Sequence, residues 1–329
     1  MKNTTYIVIT SIFEPTQAVL DYAAMKNVKL IVVGDLKTPD GWNVEGIDFI
    51  SHQIQKEMPY GICRELPFNH YCRKMIGYLK AANDGAEVII DTDDDNIPLN
   101  NWGFPKNFGE YDVLCGDEIF INIYKYFTEK FVWPRGMPLK SIRSTKSNHN
   151  FQNKYSKVGI WQGLANDDPD VDAIYRLIDD SPVVFNNRNP IVLDEGVVSP
   201  FNSQNTYIVK ELFPLLYLPT TVTFRFTDIL RGLIAQPIMW NQGFKLGFTE
   251  ATVTQLRNPH DYLKDFESEV PMYLYTEKCL EITKGCITAG QSIEDSILKV
   301  YNELKKAEIV KESEIKILEL WLNDLQKIK

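Results

Sequence analysis

The stretch that decides the fold reads IIDTDDDNIP and spans Ile89–Pro98. The apolar run Val88–Ile90 predicts a short buried strand that leads straight into acidic residues. Four aspartates lie within five positions: Asp91, Asp93, Asp94 and Asp95. Because ligands of open parallel sheets bind where the strands end, this acidic stretch is the candidate site.

Clustered aspartates of this kind predict a divalent metal ion, Mn²⁺ or Mg²⁺. Like charges repel one another unless water or a cation offsets them, and carboxylate oxygens suit hard cations that also bridge to substrate phosphates. Alternate residues of an extended segment point the same way, so we expect Asp91, Asp93 and Asp95 to share one side and Asp94 to point opposite. The alternative is a solvated acidic turn that only ends the strand; the spacing of an EF-hand calcium loop is not found here.

Strand and helix patterns alternate on the N-terminal side of this stretch. Tyr6–Ile12 and Lys29–Gly34 are apolar, strand-like runs, and Asn69–Asp84 places its apolar residues on one helical face before Gly85. This alternation predicts an α/β fold with a mostly parallel central sheet covered on both faces. From about Gln291 the apolar residues follow helical spacing, which predicts a helical C-terminal extension.

Composition limits the class of protein. The chain has 329 residues, of which 44% are hydrophobic, enough for a full core. Its net charge of −9 argues against a nucleic-acid partner. The five cysteines form no CxxC pair, and we find neither a signal-peptide pattern nor an apolar run of the roughly 20 residues that span a bilayer. We therefore expect a cytoplasmic protein without a transmembrane segment; its oligomeric state stays open.

Charged residues near the N-terminal strands are candidate phosphate or nucleoside contacts. Arg73 and Lys74 lie one turn into the predicted helix, where two cations and a helix N-terminus can attract a diphosphate. Asp35 and Lys37 follow the second strand, at a position where such a sheet binds the base or the ribose of a nucleotide. The alternative for each is an ordinary solvated charge or turn residue.

The segment Thr223–Gln236, TFRFTDILRGLIAQ, supplies a candidate general base. Thr227 or Asp228 suits the N-cap of the helix that follows, and Arg231 shares the face of Asp228. Asp228 is either a cap only or a base that takes a hydroxyl proton. His260, in the polar segment RNPHDYL, is a further candidate whose alternative is a structural or solvated histidine.

Six blocks together resemble the STELLO-type family of glycosyltransferases, with a more distant similarity to reversibly glycosylated polypeptides, the nucleotide-arabinose mutases. The blocks cover Val32–Pro39, Tyr71–Asn96, Gly163–Leu177, Phe201–Ile208, Leu218–Gln236 and Arg257–Tyr273. The resemblance implies a GT-A-like fold for nucleotide-diphospho-sugar transfer. Its expected division is a catalytic domain, 1–285, with a nucleotide-binding half, 1–100, an acceptor half, 101–285, and an extension, 286–329.

The resemblance also implies roles for individual residues. The metal-binding pair of the family's DxD motif is Asp93 with Asp95 or, in the other frame, Asp91 with Asp93, and His260 resembles a late metal ligand. Asp228 resembles the acidic base, with Arg231 beside it, although the base is more often found in an ED pair. Expected contacts to the nucleotide-sugar are Thr10, Asp35, Lys37, Arg73, Lys74, Asp94, Asn202, Gln204 and Asn205.

The implied activity is metal-dependent transfer of a sugar from a nucleotide-diphosphate donor to a glycan or other hydroxyl acceptor, inverting if attack is direct. Polysaccharide assembly is its expected setting. Three enzyme alternatives stay open: a nucleotide-sugar mutase, a nucleotidyltransferase, or a glycoside hydrolase that needs no metal. The non-enzyme alternative is a scaffold that keeps a transferase fold.

Overall fold

The structure, a computed structural model, describes residues 4–39, 41–143, 149–256 and 261–328. In these residues the chain is a mixed α/β protein with one large sheet and helices packed on it. The strands are β1 (Thr5–Thr10), β2 (Val28–Val33), β3 (Ile47–Ile50), β4 (Val88–Thr92), β5 (Asn96–Pro98), β6 (Phe108–Cys115), β7 (Asn150–Asn166), β8 (Ile191–Leu193), β9 (Asn205–Val209) and β10 (Lys245–Gln255). The helices are α1 (Gln17–Ala23), α2 (His52–Glu57), α3 (Lys74–Asn83), α4 (Ala173–Ile178), α5 (Thr227–Asn241), α6 (Tyr262–Cys286), α7 (Ile293–Lys306) and α8 (Ser313–Ile328).

The first four strands of the sheet, in the order β3-β2-β1-β4, are all parallel. Their apolar runs are buried, as the sequence predicts for strands covered on both faces. Because these strands are parallel, their carboxyl ends lie at one edge of the sheet, and the acidic residues after β4 lie beside the ends of β1 and β2.

The rest of the sheet is mixed, so the prediction of a mostly parallel sheet holds only for these four strands. β4 pairs with β9, β9 with β7 and β7 with β6, each antiparallel, whereas β7 and β10 are parallel. The start of β9 at Asn205 therefore lies opposite Thr92. At the end of β10, Gln255 pairs with Asn96 of β5. These reversals bring strand starts and strand ends to the same edge.

Helix α3 packs closely on β1 and β2. A Cβ atom on Gly77 would lie 2.5 Å from Val8 Cγ1 and 2.8 Å from Val33 Cγ2, so only glycine allows this approach. The predicted helix Asn69–Asp84 is shorter in the structure: a 3₁₀ turn, Tyr71–Arg73, precedes α3. Gly85 follows with φ +83°, as expected for the residue after a helix.

The C-terminal helices lie on the main core. The predicted stripe of α7 is buried: Ile293, Ile297, Val300, Tyr301 and Leu304. Leu318 and Leu322 of α8 are buried in the same hydrophobic cluster as α3 and α5. The domain boundary near residue 285 stays a prediction. No helix among the described residues is long and apolar enough to cross a membrane.

Candidate functional site

A cavity of about 490 Å³ opens at the edge of the sheet where β1, β2 and β4 end and β9 begins. Its first wall comes from the N-terminal strands and the segment before α3. Its floor is the acidic turn after β4, and its second wall comes from the segments around Arg135, Asp170, Asn202 and Asp228. A concave, mixed polar and apolar site of this size suits a small-molecule substrate.

The acidic turn divides the clustered aspartates differently from the expectation. Asp93, Asp94 and Asp95 line the cavity, whereas Asp91 does not. The strand ends at Thr92 and the chain then turns, so the alternation of side chains that placed Asp91 with Asp93 and Asp95 no longer applies.

Asp91 is fully buried between two cations. Lys74 Nζ lies 2.7 Å from its Oδ1 and Arg231 Nη1 lies 2.7 Å from its Oδ2. Burial alone would raise the pKa of Asp91, but the two cations outweigh burial and lower it. Arg231, expected beside the base, also donates to the carbonyl of Asn202 at 3.0 Å and does not line the cavity. In the structure, Asp91 and Arg231 support the site from behind.

Lys74 connects this buried pair to the cavity floor. Its fully buried Nζ lies 3.0 Å from Asp93 Oδ1 and 2.9 Å from the Tyr71 hydroxyl. The Tyr71 hydroxyl donates to the same Asp93 oxygen at 2.8 Å. Burial and the nearby charge of Asp91 raise the pKa of Asp93, although Lys74 opposes them. Lys74 is therefore placed to orient Asp93 rather than to face a ligand.

Asp94 and Asp95 complete the floor. Asp94 accepts a hydrogen bond from the Ser11 hydroxyl, and burial together with Asp93 raises its pKa to about 6. Asp95 Oδ2 accepts from Gln255 Nε2 at 2.9 Å. Carboxylates that are partly buried side by side, as those of Asp93 and Asp94 are, favour a cation as a partner.

The donors at this turn suit a hard metal ion, but the described residues hold no preformed group of three His, Cys, Asp or Glu side chains around one point. The carboxylates of Asp93, Asp94 and Asp95 supply oxygen only, the chemistry that Mg²⁺ and Mn²⁺ prefer. Such ions keep several waters or phosphate oxygens as ligands. The residues therefore fit a cation that is completed by its substrate. His260 lies outside the described residues.

The first wall carries Thr10, Asp35, Lys37 and Arg73, all expected to contact a nucleotide. Asp35 Oδ1 accepts from the backbone N–H of Leu36 at 2.7 Å. The Arg73 guanidinium lies 3.9 Å from the ring centre of Phe68. Arg73 also donates to Gln55 Oε1 at 2.6 Å and to the carbonyl of Leu66 at 2.9 Å, which fix its orientation.

The second wall is built around Arg135. Its Nε and Nη2 donate to the two oxygens of Asp170 at 2.7 and 2.8 Å, and Nη2 also reaches Asp228 Oδ2 at 2.9 Å. Asn202 Nδ2 donates to Asp170 at 2.7 Å. Asp228 lies in the first turn of α5, whose N-cap is Phe226, so the prediction that Thr227 or Asp228 caps this helix is wrong.

The structure brings most of the predicted residues to this one cavity. The lining includes Thr10, Asp35, Lys37, Arg73, Asp93, Asp94, Asp95, Asn202, Gln204 and Asp228. Asn205 does not line it: its fully buried amide donates to Thr252 Oγ1 at 2.8 Å and joins two strands. Lys74, Asp91 and Arg231 lie behind the surface.

Several lining residues were missed by the sequence reasoning: Arg135, Asp170, Tyr71, Phe224, Arg225 and Gln255. Asp170 lies in one of the blocks that carry the family resemblance, Gly163–Leu177, two residues before Asp172, the N-cap of α4. Arg135 lies in the segment Trp133–Pro138, WPRGMP, where no periodicity of apolar residues indicates a helix, a strand or a site. The feature that could have identified Arg135 is its positive charge between two prolines, in a chain whose predicted site is rich in aspartates.

The sequence of the chain is similar to proteins named as glycosyltransferases. A sequence model of the family described as "STELLO glycosyltransferases" matches residues 225–329. Two Arabidopsis thaliana proteins, "Probable glycosyltransferase STELLO2" and "Probable glycosyltransferase STELLO1", are 26% and 25% identical to the chain over 97% of its length. The chain spans 44% of the length of each. These matches confirm the predicted resemblance to the STELLO-type family.

A comparison of folds found the crystal structure of a mycobacterial protein, with a TM-score of 0.43 and 11% sequence identity. The match covers 84% of this chain and 74% of that one.

Proposed function

We propose that the chain is a metal-dependent transferase that moves a sugar from a nucleotide-diphosphate donor to a hydroxyl acceptor. One observation carries the proposal: Asp93, Asp94 and Asp95 share a single cavity with Asp35 and Arg73 on one wall and Asp228 on the other. A donor and an acceptor can therefore meet between a nucleoside contact, a cation site and a base.

The nucleoside end of the donor lies against the first wall in this proposal. Asp35 offers carboxylate oxygens to an N–H or a hydroxyl, and the buried guanidinium of Arg73 contributes positive charge to this wall. Phe13 and Phe224 are 45% and 56% exposed at the cavity and supply apolar surface for a ring. The diphosphate then reaches toward the acidic floor.

Asp93 and Asp95, with Asp94 between them, hold the cation in this proposal. When bound, it neutralises the charge that develops on the leaving diphosphate. Lys74 keeps Asp93 oriented, and Gln255 does the same for Asp95. Asp91 has no part in coordination, because both of its oxygens are paired with buried cations.

Asp228 accepts the proton of the acceptor hydroxyl in this proposal. Its side chain lines the cavity, and the backbone N–H of Ser203 donates to its Oδ2 at 3.3 Å. A base on the wall opposite the donor favours direct attack and therefore inversion at the anomeric carbon.

The test is transfer and hydrolysis with a panel of uridine-, guanosine-, cytidine- and adenosine-diphosphate sugars, with Mn²⁺, with Mg²⁺ and with EDTA. We expect turnover of at least one donor, its loss in EDTA, and a loss of roughly 100-fold or more in Asp95→Asn. Asp180→Asn, an exposed aspartate away from the cavity, is the matched control and should keep full activity.

Two results would overturn parts of this proposal. If no nucleotide-sugar binds or turns over, the transferase activity is wrong. If turnover persists in EDTA and in Asp95→Asn, the metal assignment is wrong although transfer stands. Isomerised donor formed without any acceptor would identify a mutase.

A further inference from the structure

We propose that Arg135 is a positioning residue for the transfer reaction, which it serves by holding the carboxylate of Asp228 against the cavity. This inference rests on the proposed role of Asp228 as the base. Arg135 is 5% exposed, and its guanidinium joins segments that are distant in sequence: the turn around Gly136, the segment of Asp170 and the start of α5.

The hydrogen bonds of Arg135 fix its guanidinium from several directions. Nε and Nη2 form a paired contact with Asp170, at 2.7 and 2.8 Å. Nη1 donates to the carbonyl of Arg225, and the backbone N–H of Arg135 donates to the carbonyl of Asp170 at 3.0 Å. A guanidinium is planar and its donors are rigidly arranged. Nη2 therefore reaches Asp228 from a fixed direction.

Backbone packing adds a second constraint on this turn. Gly136 has φ +93°, a conformation that favours glycine. A Cβ atom there would lie 2.6 Å from Cγ2 of Ile229, the residue after Asp228. The turn that carries Arg135 is thus pressed against the first turn of α5, next to the carboxylate that Arg135 holds.

The carboxylate of Asp228 is held by several donors and still lines the cavity. Among the described residues, three N–H donors make four contacts to its carboxylate: Arg135 Nη2 to Oδ1 at 3.1 Å and to Oδ2 at 2.9 Å, the backbone N–H of Ser203 to Oδ2 at 3.3 Å and that of Ile229 to Oδ1 at 3.0 Å. A carboxylate has about four lone-pair directions. The four contacts use all of them, so a hydroxyl from the cavity, which Asp228 lines, would displace the longest contact, the 3.3 Å one from Ser203.

Charge explains why an arginine is needed at this point. Two largely buried carboxylates, Asp170 and Asp228, would repel each other without a shared cation. Burial alone would lower the pKa of Arg135, but these two charges outweigh it and raise the pKa well above its ordinary value. Lysine would keep the charge and lose the paired, planar contacts.

The test is a double-mutant cycle on turnover of the nucleotide-sugar that the wild type uses fastest. Arg135→Met should lower kcat by roughly 100-fold, since misplacing a catalytic group by about 1 Å has that effect. In the Asp228→Asn background the same change should lower kcat by less than about threefold, because the group that Arg135 positions has already been removed. The dissociation constants of UDP and GDP should not change.

Arg176→Met is the matched control. Arg176 is a nearby buried arginine paired with Asp168, and it neither lines the cavity nor is hydrogen-bonded to Asp228. We expect its kcat to stay near the wild-type value. If Arg135→Met unfolds, the same cycle is measured with Arg135→Lys. We expect Arg135→Lys to lower kcat by a smaller factor, and this loss should again largely disappear in the Asp228→Asn background.

The outcomes separate the two proposals. Equal losses from Arg135→Met in both backgrounds, or no loss in either, would overturn the positioning role while transfer stands. Full turnover by Asp228→Asn would overturn the base on which this inference rests. A wild type that turns over no donor would overturn the proposed function and this inference with it.

Discussion

Neighbouring aspartates of the acidic stretch have different surroundings, although they are only a few residues apart in the chain. The Asp91 side chain is buried and forms ion pairs with Lys74 and Arg231, whereas Asp94 lines the cavity and accepts a hydrogen bond from Ser11. The difference arises because β4 ends at Thr92. We therefore assign stability to the first aspartate and ligand binding to the later ones.

Asp91→Asn should destabilise the fold. The change leaves the buried Arg231 without its paired carboxylate and leaves Lys74 with Asp93 as its acidic partner. Removing one partner of a buried pair typically costs about 3–5 kcal/mol. Asp94→Asn should be nearly neutral, because the raised pKa of Asp94 means that its charged form is already disfavoured by burial. Urea unfolding of both variants measures the difference, with Asp180→Asn as the surface control. Equal stability of the Asp91 and Asp94 variants would contradict the assignment.

Asp172 should make stability depend on pH. It is fully buried, it caps α4 and it accepts from Trp133 Nε1 at 2.7 Å. Burial first, and then the charge of Glu269, raise its pKa from 3.8 to about 6. The folded state thus keeps a proton that the unfolded state releases, so this group's contribution to stability falls as pH rises from about 4 to about 6, by up to about 3 kcal/mol.

The measurement is the free energy of unfolding at pH values from 4 to 7 for the wild type and for Asp172→Asn. Because asparagine does not titrate, the difference between the two curves should change across pH 4–6 and be flat above it. A constant difference would show that Asp172 ionises normally in the folded protein.

At the scale of elements, α8 supports both walls of the cavity from behind. The buried carboxylate of Glu314 accepts from the backbone N–H groups of Thr220 and Thr221 at 2.9 and 2.7 Å, in the segment that leads to Phe224 and Arg225. Asp324 accepts from the backbone N–H of Ile62 at 2.9 Å, in the segment before the first wall. The C-terminal helices are therefore part of the architecture of the site.

Glu314→Ala should unfold more easily and bind nucleotide more weakly. It leaves the two partly buried backbone N–H groups without their acceptor, which costs up to about 1–3 kcal/mol for each. Release of the segment before α5 should also weaken binding of UDP and GDP by the cavity. Glu312→Ala, an exposed neighbour paired with Lys305, is the control and should change stability by less than about 1 kcal/mol. Thermal unfolding and calorimetric titration report both effects; unchanged nucleotide affinity in a destabilised Glu314→Ala would limit the role of α8 to stability.

At the scale of the molecule, the sequence predicted three of the four parallel strands, which local patterns determine. Apolar runs and their spacing identified β1, β2 and β4, and the acidic run located the cavity floor. The mixed half could not be predicted because strand direction depends on which distant segments pair, as with β9 against β4. Arg135 was missed for the same reason: its partners Asp170 and Asp228 are 35 and 93 positions away.

The matched relatives are about twice as long as this chain, so their whole activity and partners are not transferred to it. In the proposed function, this one cavity supplies the contacts for a donor and an acceptor. The central claim concerns where a nucleotide and a cation would lie in it.

The most direct test is a crystal structure of the chain soaked with Mn²⁺ and with UDP or GDP, located by the anomalous signal of manganese. The account predicts a manganese peak at coordination distance from oxygens of Asp93 or Asp95, with the diphosphate on the same ion, the nucleoside toward Asp35, and Asp228 across the cavity. Manganese or nucleotide bound elsewhere on the protein, with this cavity empty, would contradict it.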